Sequence, residues 1–251
     1  MNRYRLIAVL GLLISPIALA QQAPYMESVG SPPQGLDKIR DGIILCLGMS
    51  QAHYECGGDP QKTGTGGWIQ NNAVPLPIVD AGISGWDTYR IMEDPATYWS
   101  LVDSRIREAG YTSDDVVLVW LKQATRAIFG AGDLLSERNV LTAHYEILQD
   151  ETEFRFPNLQ YGFSSSRIYG GFCKVNPDPS STQPRALPYA YDTINAVLAA
   201  VEDERRWFLG PYLWADGLNA RADGVFWDRG DFIADGCHPS PSGALKVATM
   251  N

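Results

Sequence analysis

From about Asp41 onward, apolar runs of strand length alternate with longer amphipathic segments. Strands written as continuous apolar runs must be covered on both faces, and a parallel sheet flanked by helices does that. The spacing predicts strands over 43–47, 74–80, 116–121, 159–163 and 211–214. It predicts helices over 96–109, with Trp99, Val102 and Ile106 on one stripe, and over 136–152, with Leu141, Tyr145 and Leu148 inward. A third is expected over 189–207, with Ile194, Val197, Leu198 and Val201 inward, and a short last one from Ser242. The run Val247 to Met250 reads as the start of an apolar helical face, so the chain is expected to be part of a slightly longer one. With 251 residues and 45% hydrophobic content, one sizeable core in one domain is expected.

The first 20 residues have a different layout: Arg3 and Arg5, the apolar stretch Leu6 to Ile14, then Ala18-Leu19-Ala20 before Gln21. That is the order of a secretory signal peptide, with cleavage expected after Ala20 and a secreted or periplasmic product. The apolar run falls short of the ~20 residues that span a bilayer. No cysteine follows the cleavage site, which argues against a lipid anchor. Residues 21–40, rich in Gln, Pro, Gly and Ser, read as a flexible leader, and the folded domain is expected over 41–251. Without Arg3 and Arg5, 18 basic residues face 29 acidic ones, a net charge of −11. Such a surface repels nucleic acid and anionic membranes, so neither is an expected partner.

All four cysteines, Cys46, Cys56, Cys173 and Cys237, lie in the part expected to be exported, where disulfides form. Three complete pairings are possible and the sequence does not choose among them. Cys46, inside an apolar strand, reads equally as a buried free thiol. The cysteines are scattered without a CxxC pair, so no metal site is expected. No phosphate loop or dinucleotide fingerprint follows a strand, so no nucleotide cofactor is expected either.

Chemistry concentrates near the end of the chain, at Asp235-Gly236-Cys237-His238. A carboxylate and an imidazole three positions apart on a tight loop make two parts of a nucleophilic triad, and Gly236 suits the turn. Ser50, which closes the run Ile43 to Met49 and opens a helical segment, supplies the third. In that arrangement the imidazole takes the serine proton, and the carboxylate fixes its tautomer and steadies the imidazolium. Serine at a helix start also serves as a cap, the plain alternative for Ser50. Asp216, Asp223, Asp228 and Asp231 compete with Asp235 but lack its spacing to a histidine, while His53 and His144 read as structural. Trp68, Trp86, Tyr89 and Trp214 fall near strand ends, where aromatics stack on sugars or pack the rim. Arg167 and Tyr169 follow the fourth strand and are candidates, with Trp86, for lining the same cleft.

These residues resemble the SGNH (GDSL-like) hydrolase superfamily, over roughly 41–250. The resemblance implies an α/β fold, a doubly wound three-layer α/β/α sandwich of flavodoxin-like order with about five parallel strands. Gly48-Met49-Ser50-Gln51-Ala52 takes the place of the block with the nucleophile, in wording closer to a GMSN-type variant than to GDS. Gly82-Ile83-Ser84-Gly85-Trp86-Asp87 is similar to the second block, with Gly85 as oxyanion donor, and Asp235 and His238 match the DxxH block. The asparagine of the third block is absent: the chain reads Trp120-Leu121-Lys122-Gln123-Ala124-Thr125, where Gln123 offers an equivalent amide and Lys122 or Thr125 a different donor. The implied activity is cofactor-free hydrolysis of an O-acyl ester by Ser50, His238 and Asp235, with the Ser50 and Gly85 amides and Gln123 around the oxyanion. The expected substrate is a short acyl group such as acetyl on carbohydrate. Lipid, aryl and thioester substrates, acyl transfer, and a non-catalytic carbohydrate-binding module with the same fold are the alternatives.

Overall fold

The computed structural model describes residues 35–36, 39–57, 76–125, 134–173 and 206–250. Five parallel strands form one sheet: β1 (Ile43–Gly48), β2 (Ile78–Gly82), β3 (Val116–Lys122), β4 (Tyr161–Ser164) and β5 (Trp207–Leu209). Their order is β2-β1-β3-β4-β5, so the chain leaves β1 to one side and returns to its other side. The helices are α1 (Ser50–Cys56), α2 (Thr88–Glu93), α3 (Pro95–Glu108), α4 (Leu134–Arg155) and α5 (Pro241–Met250).

Alternate residues of β1 feed two cores. Ile43, Leu45 and Leu47 join Tyr98, Trp99, Val102 and Ile106 of α3 and Leu141, Tyr145 and Leu148 of α4. Ile44 and Cys46 face the other way, toward Ala52 and Cys56 of α1 and Val247 and Ala248 of α5. Burial on both faces explains why β1 and β3 are uninterrupted apolar runs, and full burial of each such side chain is worth roughly 1.5–3 kcal/mol. The doubly wound α/β sandwich expected from the sequence is the observed fold.

The structure corrects some boundaries. Strand β2 runs over Ile78–Gly82, later than the expected 74–80, because Ala81 and Gly82 pair with Leu47 and Gly48 despite their weak strand preference. The fifth strand is Trp207–Leu209, not 211–214. Pro211 brings no N–H to a ladder. Around it, the Leu213 N–H donates to Ser166 Oγ and the carbonyls of Tyr212 and Trp214 accept from Arg221. The expected helix over 189–207 lies outside the described residues, apart from Arg206 and Trp207, the latter being the first residue of β5. The free-thiol reading of Cys46 is also replaced: Cys46 bonds to Cys56 and Cys173 to Cys237. In a chain-entropy account, loops of 10 and 64 residues correspond to about 3 and about 4 kcal/mol.

One ion pair is sealed inside this framework. Lys122 Nζ lies 2.6 Å from both carboxylate oxygens of Glu55, and both side chains are 0% exposed. Burial pushes the Glu55 pKa up against the pull of Lys122, and burial brings Lys122 down to about 8 against the pull of Glu55. A buried pair stabilises little against an apolar replacement, but removing one partner strands the other charge. Lys122→Met is therefore expected to lower unfolding free energy by about 3–5 kcal/mol. Glu55→Gln combined with Lys122→Met is expected to recover most of that loss in urea unfolding, and equal loss in both proteins would contradict the stranded-charge account.

Candidate active site

The strand order reverses between β1 and β3, and crevices at such a point, beyond the carboxyl ends of the strands, are where doubly wound folds bind ligands. Strand β1 ends there at Gly48, and α1 begins two residues later with Ser50. Met49 holds the cap position and Ser50 is the first helical residue, so its hydroxyl does not cap the helix. Ser50 Oγ lies 2.7 Å from His238 Nε2. Helix α1 sits very close to the sheet: a Cβ added at Gly82 would come within 2.5 Å of the His53 backbone nitrogen, so a side chain there would push α1 off β2.

Asp235 and His238 arrive on the loop before α5. His238 Nδ1 lies 2.5 Å from Asp235 Oδ2, while Asp235 Oδ1 accepts the N–H groups of Cys237 at 2.8 Å and His238 at 3.1 Å. One carboxylate thus holds both the loop and the imidazole. Gly236 makes the turn possible, with φ at +72° and a backbone so close to Phe172 O that a Cβ would lie 2.0 Å away. The Cys173–Cys237 bridge ties the loop to the segment after β4, and Gln51 Nε2 of α1 donates to Cys237 O.

The competing residues are engaged elsewhere. Asp216 accepts from Asn219, Asp223 pairs with Arg221, Asp228 closes the turn Arg229–Asp231, and Asp231 accepts from Lys246. His144 Nδ1 meets Thr88 Oγ1 at 2.9 Å, and His53 Nδ1 meets Asp80 Oδ2 at 2.5 Å.

The other sequence candidates separate. Gly85 lies in the turn after β2, which Trp86 N–H closes onto Ile83 O, and Thr88 N–H to Ala124 O joins this loop to the one after β3. Gln123 is wholly buried: its N–H donates to the Tyr145 hydroxyl, that hydroxyl donates back to Gln123 O, and its side chain lies beside the Tyr98 hydroxyl. Lys122, occupied with Glu55, is not turned to the cleft as a donor. Thr125 is buried. Trp86 is 5% exposed, belongs to the α3 core and carries Arg90 over its ring; Trp214 is buried too, so neither offers an open stacking face. Trp68 lies outside the described residues. Arg167, 3% exposed, contacts Met49 Sδ at 4.0 Å, and its charge reaches Glu55 and Lys122. Tyr169 is partly buried and packs edge-on against Phe172, beside the Cys173–Cys237 bridge. Among the described residues no cluster of three or more His, Cys, Asp or Glu side chains is placed to hold a metal ion.

Four contributors were not singled out from the sequence: Gln51, Tyr54, Glu55 and Asp80. Tyr54 stacks on the His238 ring with centroids 4.7 Å apart and planes 23° apart. The signal for Tyr54 was its place four residues after Ser50 on one helix, and for Glu55 the presence of Lys122 in an otherwise apolar strand.

Fold and geometry together define a doubly wound α/β protein with a Ser–His–Asp array at its switch point, the fold found in SGNH and GDSL-like hydrolases. Among solved structures, a candidate GDSL-like lipase from Parabacteroides merdae superposes with a TM-score of 0.52 at 16% identity, over 84% of this chain and 94% of that one. A candidate platelet activating factor protein from Streptococcus pneumoniae gives 0.52 at 13% identity, over 92% and 89%. A candidate SGNH hydrolase from Slackia heliotrinireducens gives 0.46 at 14% identity, over 84% and 96%. No family model matches the chain, and no curated protein matches it.

The electrostatics of Asp235 yield a stability signature. Burial alone would raise its pKa, but hydrogen bonds from the His238 ring and from the Cys237 and His238 amides, with the His238 charge, hold it at about 2, below the ordinary 3.8. A carboxylate held lower in the folded state stabilises the fold above its unfolded pKa and loses that contribution as pH falls through the folded value. The urea midpoint of the native protein is expected to fall more steeply between about pH 4 and about pH 2 than that of Asp235→Asn. Parallel curves for the two proteins would contradict this.

Proposed function

We propose that this protein is an exported serine esterase that hydrolyses O-acyl esters, with a short acyl group such as acetyl on carbohydrate as substrate. The observation that carries the reading is the continuous line from Ser50 Oγ to His238 Nε2 at 2.7 Å and from His238 Nδ1 to Asp235 Oδ2 at 2.5 Å. In this mechanism His238 takes the Ser50 proton as Oγ attacks the ester carbonyl carbon. The negative oxygen of the tetrahedral intermediate is held by the amides of Ser50 and Gly85, whereas the Gln123 side chain, buried beside Tyr98, is turned into the core. Collapse expels the alcohol, which leaves with the proton from His238, and an acyl-Ser50 remains. Water, deprotonated by His238, releases the acid and restores Ser50. Asp235 stays ionised throughout and balances the imidazolium, consistent with its lowered pKa.

Buried Arg167 contacts Met49 beside Ser50, and its positive charge acts on Glu55. Net charge of −11 in the cleaved chain favours a neutral ester over nucleic acid or anionic lipid surfaces. No helix of the described residues is long and apolar enough to cross a membrane. Export with cleavage after Ala20 predicts that the secreted protein begins at Gln21 on N-terminal sequencing.

Hydrolysis of 4-nitrophenyl acetate by the purified protein tests the nucleophile. Ser50→Ala and His238→Ala are each expected to lose about a thousandfold or more in kcat. Undiminished turnover in Ser50→Ala would end the assignment. Equal background in native and Ser50→Ala proteins, with retained binding of acetylated polysaccharide, would favour a binding module. Activity that drops with acyl chains beyond a few carbons supports the short-acyl substrate, whereas activity that grows with chain length supports the lipid alternative.

A further inference from the structure

We propose that Tyr54 is a positioning residue for His238: its ring holds the imidazole plane on the line between Ser50 and Asp235 and stabilises the imidazolium that forms when Ser50 gives up its proton. The inference rests on the triad reading and adds a residue to it.

Helical geometry brings the ring there. Tyr54 is four residues after Ser50 on α1, and side chains on a helix lean toward its N-terminus, so the Tyr54 ring covers the turn that carries Ser50. His238 meets that turn through its 2.7 Å contact with Ser50 Oγ. The two rings meet nearly parallel, with centroids 4.7 Å apart and planes 23° apart. An aromatic face attracts a cation, and the imidazole becomes one when it takes the Ser50 proton. The contact therefore strengthens as the transition state forms, which is the condition for an interaction to raise kcat.

Tyr54 is itself braced. The His53 ring meets it edge-on, with centroids 5.7 Å apart and planes at 89°. His53 is fixed by Asp80 of β2, whose other oxygen accepts Gly82 N–H at 2.9 Å. A second imidazole–carboxylate pair thus leads from the edge strand, through Tyr54, to the first pair. His53 and Asp80 reach Ser50 only through the helix, and they act on the fixity of the Tyr54 ring.

Other charged and titratable groups also bear on His238. Asp235 lies on its own loop, Ser50 and Glu55 on α1, Lys122 on β3 against Glu55, and Arg167 follows β4. Substitution at Tyr54 leaves all of these in place, so a change in the titration of His238 reports the ring.

The experiment compares the native protein with Tyr54→Leu, Tyr54→Gln, Tyr54→Phe and Ser50→Ala. The NMR shifts of the His238 ring protons are followed against pH, and 4-nitrophenyl acetate hydrolysis is measured over the same range. In Tyr54→Leu and Tyr54→Gln the pH at which the ring shifts change is expected to fall by about half a unit, and the acid limb of the rate profile to move with it. Their kcat is expected to fall about two- to fivefold at little cost in KM. Tyr54→Phe, which keeps the ring, is expected to remain within about twofold of the native protein with its acid limb unmoved. Loss in Tyr54→Phe as large as in Tyr54→Leu would overturn the proposal, because the hydroxyl and not the ring would be responsible. An unmoved titration in the Leu and Gln variants would overturn it as well, whatever happens to kcat. Full activity in Ser50→Ala would end the triad reading instead, and the NMR titration would still decide whether the Tyr54 ring stabilises the His238 cation.

Discussion

The active arrangement depends on how a seven-residue helix is held down. Helix α1 has no side-chain cap, and a helix of that length is not stable by itself in water. Its position comes from tertiary contacts on every side. Ala52 and Cys56 pack into the core beneath it, and the Cys46–Cys56 bond joins its end to β1. Glu55 is tied to Lys122 of β3, His53 to Asp80 of β2, and Gln51 to the backbone of Cys237. Three strands and the triad loop thus fix the helix that carries Ser50. Gly82 permits the approach, since any side chain there would meet the His53 backbone.

The buried ion pair looks costly beside an apolar alternative, because taking two charges out of water is repaid only by near-ideal geometry. Its value lies in direction. An apolar contact under α1 would tolerate rotation of the helix, whereas an ammonium within 2.6 Å of both Glu55 oxygens accepts one orientation. Glu55 also feels the charge of His238, so the pair sets part of the field in which the imidazole works. Arg167 adds a second buried cation to that field, and its charge acts on Glu55 as that of Lys122 does.

Much of this was legible in the sequence where the signal was local. Strands β1 and β3 are long apolar runs buried on both faces, and their expected limits differ from the observed ones by one residue. Helices α3 and α4 carry the stripes that pack in the first core. The Asp235 and His238 pair was visible because both residues lie on one turn. Strand β5 was not, since three residues make no period and the neighbouring run 211–214 is equally apolar; its burial comes from Arg221, Ser166 and Trp227 taking up its backbone groups. The grip of Asp80 on His53 and of Lys122 on Glu55 joins residues 27 and 67 positions apart, and only the strand register brings them together. Arg167 lies buried with its charge on Glu55, and the sequence does not show which carboxylate it meets because spacing along a chain does not tell which side of a loop turns inward.

The second disulfide sits inside the loop that carries Asp235 and His238. Cys237 lies between Asp235 and His238, and its partner Cys173 follows Phe172, whose carbonyl presses against Gly236. The loop is therefore held at three successive residues: by Asp235 through its own carboxylate, by Gly236 through close packing, and by Cys237 through a covalent bond. Reduction would release the last of these and leave the imidazole held by hydrogen bonds and by packing. Disulfides persist in oxidising compartments, the setting that the proposed export would supply. Strong anchoring also fits the chemistry, since a serine hydroxyl is a weak nucleophile and gains its reactivity from a base held within hydrogen-bond reach. In this fold His238 is held from one side by a bridged loop and meets on the other the helix that carries Ser50.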